Sequence, residues 1–318
     1  MIIEEVNGLV KEGELYDRAA KANSTISLYQ RNWDAFSAWC DGIQVSVLPA
    51  SPEMVALYAA WLARRLKPAT VAIHLCAIRH FHMEAGFDPP TATTIVRKRV
   101  AGIRRSRPAL PKRKAPMTIE RIDAAVDQLG GSLFALQRKA LLMLGFTGGF
   151  RRSELVGLDV RPGGQGTGYI EFTAEGLDVV LTKSKTDQEG KGRRIAIPYR
   201  RDRARCPVRM VRDWLLEANI ESGPIFRRIE EEGVTNDRLR PSAVNRAVKW
   251  AARRCGLYAS DFGAHSLRAG FVTSAAKHGA SISAIQSTTG HARVETVWSY
   301  VRESNKYADS ALNFLPGW

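Results

Sequence analysis

A tyrosine near the C-terminal end of the chain is accompanied by side chains that could make its phenol a nucleophile. Tyr300 follows two arginines, Arg151 and Arg268, and two histidines, His265 and His291. A phenol has a pKa of about 10, so it attacks poorly unless a base takes its proton or cations assist it. Arginine and histidine supply these functions, and arginine also pairs with phosphate. The set therefore indicates phenol chemistry at an anionic centre.

Both arginines are predicted to lie where a helix begins. In "TGGFRRSELVGL" the two glycines should end one helix, so that Arg151 starts the next. In "AHSLRAG", Ser266 is predicted to cap a helix, which places Arg268 in the first turn and His265 just outside it. A cation there opposes the helix dipole by roughly a few tenths of a kcal/mol, and a bound anion would remove this conflict. The alternative is structural salt bridges, for example between Arg151 and Glu154.

The helix that carries Tyr300 is predicted from "ARVETVWSYV". Its apolar stripe would consist of Val294, Val297, Trp298 and Val301. Tyr300 lies roughly 110° from the centre of this stripe, so the phenol should project sideways from the buried face. His291 follows Gly290, a predicted helix end, and should therefore lie on the loop before this helix.

The composition of the 318-residue chain indicates a globular protein of two domains with a polyanionic partner. Hydrophobic residues make up 45% and charged residues 25%, which excludes a disordered chain. The formal net charge of +15 favours nucleic acid as the partner. An anionic membrane surface is the alternative, although no basic amphipathic anchor is evident. No apolar run approaches the roughly 20 residues of a membrane-spanning helix, and the acidic start does not resemble a signal peptide.

Other features that could carry chemistry favour structural interpretations. The four cysteines are far apart and form no CxxC pair, which predicts reduced thiols in a cytoplasmic protein. The "GGQGTG" at 163–168 and the "EEE" at 230–232 lack the context of a phosphate loop or a two-metal site, so we predict a flexible connection and a solvated turn. His74, His80 and His82 have no nearby carboxylates and should face a groove or be partly buried. The sequence predicts neither a metal nor a cofactor.

Helical periodicity dominates both halves of the chain. Four helices are predicted from "NSTISLYQRNWDAFSAWC", "SPEMVALYAAWLARRL", "KPATVAIHLCAIRHFHMEAG" and "TATTIVRKRVAGIRR". The following "RRSRPALPKRKAP", residues 104–116, has three prolines, six basic side chains and no acid. We predict an extended linker that tracks a phosphate backbone, with a solvated hinge as the alternative. Helices resume at Thr118, three short runs in 168–198 predict an antiparallel meander, and everything from about Cys206 is predicted to be helical.

Three motifs in a fixed order produce a specific resemblance. An R-x-S-E-L box spans Arg151 to Leu155, an H-x-x-R box spans His265 to Arg268, and Gly290-His291 precedes Tyr300 by nine positions. These boxes resemble those of the tyrosine recombinase (phage integrase) family. The helical first half is similar to the core-binding domain of Cre-type recombinases, so the resemblance covers nearly the whole chain.

The resemblance implies a site-specific DNA recombinase that cleaves and rejoins strands through a 3′-phosphotyrosine intermediate and a Holliday junction. Tyr300 would attack the scissile phosphate, and Arg151 and Arg268 would stabilise its oxygens. His265 would move the proton of the nucleophile, and His291 would hydrogen-bond the phosphate.

Two further assignments follow from the same resemblance. Glu154 corresponds to a supporting acidic position. The general acid would be a lysine in the β-hairpin loop, with Lys185 as the best match and Lys191 as the alternative. Because the phosphotyrosine conserves the bond energy, no metal or nucleotide would be needed.

The implied fold is mainly α with a small antiparallel β-sheet (α+β), built as a two-domain clamp on double-stranded DNA. The predicted parts are an N-terminal extension (1–20), a helical core-binding domain (21–105), a basic linker (106–117), a catalytic domain (118–305) and a tail (306–318). The short extension favours a Cre- or Xer-like protein without an arm-binding domain. We expect a homo-tetramer on two DNA sites, a monomer or weak oligomer without DNA, and a cytoplasmic, nucleoid-associated location away from membranes.

Basic residues of the first half and the linker are the predicted DNA contacts. They are Lys67, Arg79, His80, Arg97, Lys98, Arg99, Arg104, Arg105, Arg107, Lys112, Arg113 and Lys114. In the tail, Tyr307, Ala311, Leu312 and Leu315 predict a short apolar helix donated to a neighbouring protomer, with docking on its own domain as the alternative.

Two other functions are compatible with this sequence. A type IB topoisomerase would use the same phenol chemistry but would only relax supercoils. A DNA-binding regulator would lack catalysis, although the complete set of catalytic-type residues argues against it.

Overall fold

A computed structural model describes residues 21–108, 113–182, 192–304, 307 and 310–317, together with scattered positions before residue 21. It does not describe the side chains of residues 302–304. Three lysines of the predictions, Lys112, Lys185 and Lys191, lie outside the described residues. The chain divides into two compact units, Met1–Lys112 and Arg113–Trp318, and this division falls inside the predicted linker. In the described ranges, no helix is long and apolar enough to cross a membrane.

The described part of the first unit contains the four predicted helices. Their bounds are α1 (Asn23–Asp41), α2 (Pro52–Ala63), α3 (Pro68–Glu84) and α4 (Thr94–Ser106). The predicted start of α2 is confirmed, because the Ser51 hydroxyl accepts a hydrogen bond from the Met54 N–H at 3.3 Å and Pro52 follows it. Helix α4 includes Arg104 and Arg105, as its predicted segment does, and ends at Ser106, so an extended linker could begin only after that residue. The helix continues this far because arginine favours helix and Ile103 is buried. It ends before Arg107 because the residue that precedes a proline, here Pro108, disfavours the helical conformation.

Aromatic side chains form the core of the first unit. Phe36 and Tyr58 are fully buried, and Trp33 stacks on Phe81 with ring centroids 4.7 Å apart. His82 is also fully buried, and its Nε2 accepts a hydrogen bond from the Ala50 N–H at 2.9 Å. This histidine therefore belongs to the core and faces no groove.

The second unit packs helices around one four-stranded sheet. Its helices are α5 (Ile119–Asp127), α6 (Leu133–Thr147), α7 (Arg152–Val156), α8 (Pro207–Glu217), α9 (Pro241–Arg254), α10 (His265–Lys277), α11 (Ile282–Thr289) and α12 (Val294–Ser304). The sheet strands are β1 (Leu158–Asp159), β2 (Gly168–Phe172), β3 (Gly176–Leu181) and β4 (Arg193–Pro198). The predicted antiparallel meander, β2–β3–β4, is confirmed, and the short β1 joins it in parallel to β2.

The prediction that the chain is helical throughout from Cys206 is wrong. A two-stranded antiparallel hairpin joins β5 (Arg227–Glu230) and β6 (Gly233–Arg238). Ile229 pairs with Val234, and both pack against the main core. Such short strands carry little periodicity, so the pairing partner decides their structure. The predicted turn within the "EEE" run is confirmed at Glu231 and Glu232.

Helices α10, α11 and α12 meet in a small separate cluster. Its buried members are Val272, Ile285 and Val297, one from each helix. The predicted apolar stripe of α12 is wrong in part, because Val294 is 37% and Trp298 is 42% exposed. The buried face is instead centred on Val297, with Tyr300 packed against the cluster. Packing on two neighbouring helices selects this face, which single-helix periodicity does not specify.

The described residues of the tail, 307 and 310–317, do not form the predicted apolar α-helix. Among them a 3-10 helix covers Ala311–Phe314, and Phe314 remains 85% exposed. Tyr307 lies in a turn and is 80% exposed. Helix nucleation is unfavourable in so short a segment unless it packs against other residues. Gly317 also prevents the helix from extending further.

Candidate active site

The phenol of Tyr300 and the imidazole of His265 are in hydrogen-bond contact. The distance between the Tyr300 hydroxyl and His265 Nε2 is 2.7 Å. Desolvation first, and then the charges of nearby arginines, lower the pKa of His265. The imidazole is therefore neutral at physiological pH, and with its proton on Nδ1 it accepts the phenolic proton at Nε2.

His265 owes its position to the beginning of α10, which differs from the prediction. The helix starts at His265, with Ala264 as the N-cap, and Ser266 lies inside the first turn. The Ser266 hydroxyl accepts a hydrogen bond from the Gly263 N–H at 3.1 Å, so it stabilises the preceding loop. Both His265 and Arg268 therefore belong to the first turn of this helix.

Arg268 is held by carbonyl oxygens from two other elements. Its Nη1 donates to the Gly149 carbonyl at 2.8 Å and to the Thr289 carbonyl at 2.5 Å. The residue is only 3% exposed, and burial lowers the pKa of its guanidinium to about 10. Its Nη2 is buried without a hydrogen-bond partner in the described ranges. An unpartnered, fixed guanidinium nitrogen of this kind can receive an anionic oxygen.

His291 orients Arg268 through a chain of hydrogen bonds. Arg268 Nε donates to His291 Nε2 at 3.2 Å, and His291 Nδ1 lies 2.7 Å from the Thr289 hydroxyl. Because that hydroxyl donates to the Ile285 carbonyl at 2.7 Å, its oxygen accepts the Nδ1 proton. In this tautomer Nε2 accepts from Arg268, and the hydrogen bond from His291 to a phosphate stays a prediction. Burial and the arginine charges lower the pKa of His291 to about 3.

Gly290 makes the turn that places His291 beside this cluster. It ends α11 in the left-handed conformation, with φ of 63° and ψ of 44°. Glycine adopts this conformation at no steric cost. The predicted helix end at Gly290 is thereby confirmed.

Arg151 and Glu154 form a compact pair at the start of α7. Arg151 donates its backbone N–H to Glu154 Oε2 at 2.9 Å and a guanidinium N–H to Oε1 at 2.5 Å. Glu154 is only 3% exposed, so its carboxylate is fixed. This pair is the structural salt bridge that the sequence analysis gave as an alternative to anion binding. It also orients Arg151.

Arg113 lies in contact with Tyr300, although it was predicted to contact DNA phosphates from the linker. Its guanidinium carbon is 5.6 Å from the centroid of the Tyr300 ring, and its Nη1 donates to the Ser299 hydroxyl at 3.1 Å. Burial raises the pKa of Tyr300, whereas Arg113 and Arg268 act in the opposite direction. Arg113 thus stabilises the phenolate form of the nucleophile.

Sequence reasoning missed Arg193. This residue begins β4, and its Nη2 is 3.8 Å from Glu154 Oε2. A signal was available, because strand alternation places Arg193 on the same face as the buried Ile195 and Ile197. An arginine on the buried face of a strand needs an anionic neighbour, and only the tertiary structure identifies Glu154 as one.

The basic residues of the first unit form an exposed surface on α3 and α4. Arg79, Arg97 and Arg104 line a cavity of about 360 Å³ in that surface. Lys67, Lys98, Arg99 and Arg105 are exposed as well.

Three candidate DNA contacts have partners within their own unit. His80 is half-buried, with its Nδ1 3.1 Å from Lys21 Nζ. Arg107 donates to the Ala63 carbonyl, and Lys114 donates to the Ser260 carbonyl. These contacts describe the chain without DNA and leave the predicted contacts untested.

No group of three or more histidine, cysteine or carboxylate side chains among the described residues is placed to hold a metal ion. The chemistry available at this site is that of a neutral base, a phenol and several fixed guanidinium groups. Together they can bind an anion and activate a tyrosine against it.

The similarities to known proteins agree with this description. The sequence profile of the phage integrase family matches residues 115–306. The chain is 37% identical over 299 residues to an integrase/recombinase xerD homolog of Selenomonas ruminantium, which covers 92% of this chain and 86% of that protein.

Two solved structures share the fold. One is a lambda integrase dimer bound to a COC′ core site, with a TM-score of 0.58 and 17% identity over 92% of this chain and 93% of that one. The other is the XerH site-specific recombinase bound to a palindromic difH substrate, with a TM-score of 0.56 and 14% identity over 83% of this chain and 72% of that one. The chain belongs to the phage integrase family and is a tyrosine-type site-specific recombinase.

Proposed function

We propose that this protein exchanges double-stranded DNA at specific sites through a 3′-phosphotyrosine intermediate and a Holliday junction. The observation that carries the proposal is the 2.7 Å contact between the Tyr300 hydroxyl and His265 Nε2, next to the fixed guanidinium of Arg268. A phenol with a base on its proton and cations beside it is prepared for attack on a phosphodiester.

The reaction would be a transesterification at phosphorus. The Tyr300 oxygen forms a bond to the scissile phosphorus as its proton moves to His265. The bond from phosphorus to the 5′ oxygen breaks, which leaves a 3′-phosphotyrosine and a 5′-hydroxyl. Arg151 and Arg268 would stabilise the non-bridging oxygens, with Glu154 and His291 holding them in position.

The departing 5′ oxygen needs a proton from a general acid. Lys185 is the residue that the family resemblance favours, and Lys191 is the alternative. Attack by the 5′-hydroxyl of a second strand would reverse the same step on a new partner. Because the phosphotyrosine preserves the bond energy, the exchange needs neither a metal nor ATP.

DNA would bind to both units, with the exposed arginines of α3 and α4 on phosphates. We further propose a homo-tetramer on two sites, in which each tail enters a neighbouring protomer. The exposure of Phe314 and Leu315, at 85% and 50%, supports a partner outside the protomer. A nucleoid-associated, cytoplasmic location follows from this function.

The test begins with finding the DNA target. Sheared DNA from the source genome is incubated with the protein, and covalent complexes are recovered under denaturing conditions and sequenced. Two copies of the recovered sequence are then cloned in one supercoiled plasmid, with Tyr300→Phe protein as the control. Recombinant circles support the proposal, whereas relaxation alone would indicate a topoisomerase and binding alone a regulator.

A further inference from the structure

Arg193 brings a third guanidinium group into the catalytic cluster. Its side chain is only 18% exposed, and both terminal nitrogens are buried without a hydrogen-bond partner in the described part of the chain. The nearest carboxylate oxygen, Glu154 Oε2, is 3.8 Å away and already accepts the Arg151 N–H at 2.9 Å. A buried cation that is this weakly paired is costly, and an anionic oxygen bound beside it would offset that cost.

Arg193 also lies against the turn that positions His291. A Cβ atom added at Gly290 would lie 2.3 Å from Arg193 Nη1, so this turn and the guanidinium are in close contact. Burial lowers the pKa of Arg193, and Glu154 opposes that shift. Arg193 in turn contributes to the lowered pKa values of Arg268 and His291, which places its charge within electrostatic range of both.

Positive charge exceeds negative charge among the described residues of this cluster. Arg151, Arg193 and Arg268 lie with one carboxylate, that of Glu154, and the neutral histidines add no charge. Arg113 adds a further positive charge beside Tyr300. A phosphodiester carries one negative charge, and the phosphorane formed when a phenolate adds to it carries two.

We propose that Arg193 is a positioning residue of the recombinase reaction, whose charge helps the cluster to stabilise the doubly negative transition state. It would hold Glu154, and through it Arg151, and would add positive potential at the scissile phosphate. This inference rests on the proposed phosphotyrosine mechanism. A purely structural residue would support the Gly290 turn and Glu154 without responding to the charge of the phosphate.

The experiment compares two suicide duplexes that contain the captured target sequence. One has an ordinary scissile phosphodiester, and the other has a methylphosphonate there, which removes one negative charge from the transition state. The rate of covalent adduct formation is measured for the wild type, Arg193→Met, Arg193→Lys and the control Arg194→Met. Arg194 is adjacent, but it is 55% exposed and pairs with Glu171 and Asp178.

Arg193→Met is expected to slow adduct formation on the phosphodiester roughly 10- to 100-fold. On the methylphosphonate the same variant should be within about threefold of the wild type, because that transition state carries one negative charge fewer and gains less from the Arg193 guanidinium. Arg193→Lys should recover most of the rate on the phosphodiester, and Arg194→Met should resemble the wild type on both duplexes.

An equal defect on both duplexes, or no defect on either, would overturn the proposal. If the thermal melting curve shows that Arg193→Met does not fold, Arg193→Lys and Arg193→Gln are compared instead. Equal rates of adduct formation by these two variants on the phosphodiester duplex would overturn the proposal. Absence of an adduct with wild-type protein on every duplex would instead refute the phosphotyrosine mechanism itself.

Discussion

The Tyr300 hydroxyl lies 2.7 Å from His265 Nε2, although the two residues are 35 positions apart in the chain. The contact exists because α10 and α12 pack on each other through Val272 and Val297. Packing of these apolar residues between the helices thus brings the nucleophile and its base together.

Replacing Tyr300 by phenylalanine should abolish the covalent adduct and leave DNA binding unchanged. The substitution removes only the attacking oxygen, and the ring keeps its place on the Val297 cluster. Denaturing gels with suicide DNA would detect the adduct, and gel shifts would measure binding. Tyr307→Phe is the matched control, because that phenol lies in an exposed turn. An adduct that persists in the Tyr300 variant would show that another residue is the nucleophile.

Replacing Arg113 by alanine should raise the pKa of Tyr300. The guanidinium over the ring favours the phenolate, so its loss leaves the effect of burial less opposed. NMR titration with tyrosine labelled at the ζ carbon would show the shift, and Tyr300→Phe would assign the signal. Lys114→Ala is the control, because Lys114 bonds to the Ser260 carbonyl. An unchanged Tyr300 titration would show that the contact is not maintained in solution.

His291 should remain neutral at pH 5. Its pKa of about 3 in the folded protein is below the ordinary value of about 6.5, so the unfolded chain takes up the proton first. The free energy of unfolding should therefore decrease as the pH falls from about 6.5 towards 3. Nitrogen-15 NMR of the imidazoles, assigned with His291→Gln, would measure the titration. Urea unfolding at several pH values should show that the free energy of unfolding changes less with pH in His291→Gln than in the wild type. An NMR titration midpoint above pH 6 for His291 would contradict the hydrogen-bond chain.

Replacing Lys185 by alanine should slow strand cleavage far more than Lys191→Ala does. An alkoxide is a poor leaving group, and loss of a general acid costs about 100-fold or more. A duplex with a 5′-phosphorothiolate needs no such proton, because sulfur departs as a thiolate. It should restore cleavage by Lys185→Ala. Rescue of Lys191→Ala alone would assign the general acid to Lys191.

Deleting residues 306–318 should leave a folded protein that binds one DNA site but neither pairs two sites nor recombines them. The described part of the tail is largely exposed, so its loss should cost little stability. Phe314→Asp offers a milder variant with the same expected defect in pairing. Gel shifts and the plasmid assay would measure both variants. Normal recombination would exclude donation of the tail, and unfolding would assign it to its own domain.

Several local features could be predicted from sequence because nearby residues determine them. Ser51 and Pro52 begin α2, Gly290 ends α11, and alternating apolar residues produce the β2–β3–β4 meander. Caps, left-handed turns and strand alternation depend on a few adjacent residues. The three motif boxes likewise depend only on residue type and spacing, and the family followed from them.

Contacts between distant segments required the tertiary structure. Periodicity placed Val294, Val297 and Trp298 on the buried face of α12, but packing on α10 and α11 buries only Val297 of these three. The β5–β6 hairpin, the approach of Arg113 to Tyr300 and the position of Arg193 beside Glu154 depend in the same way on partners far along the chain. Sequence by itself determined which chemical groups this protein has and where several of its helices begin or end. Only the packing of those helices and strands decided which cations surround the nucleophile, because electrostatic interactions depend on distance in space.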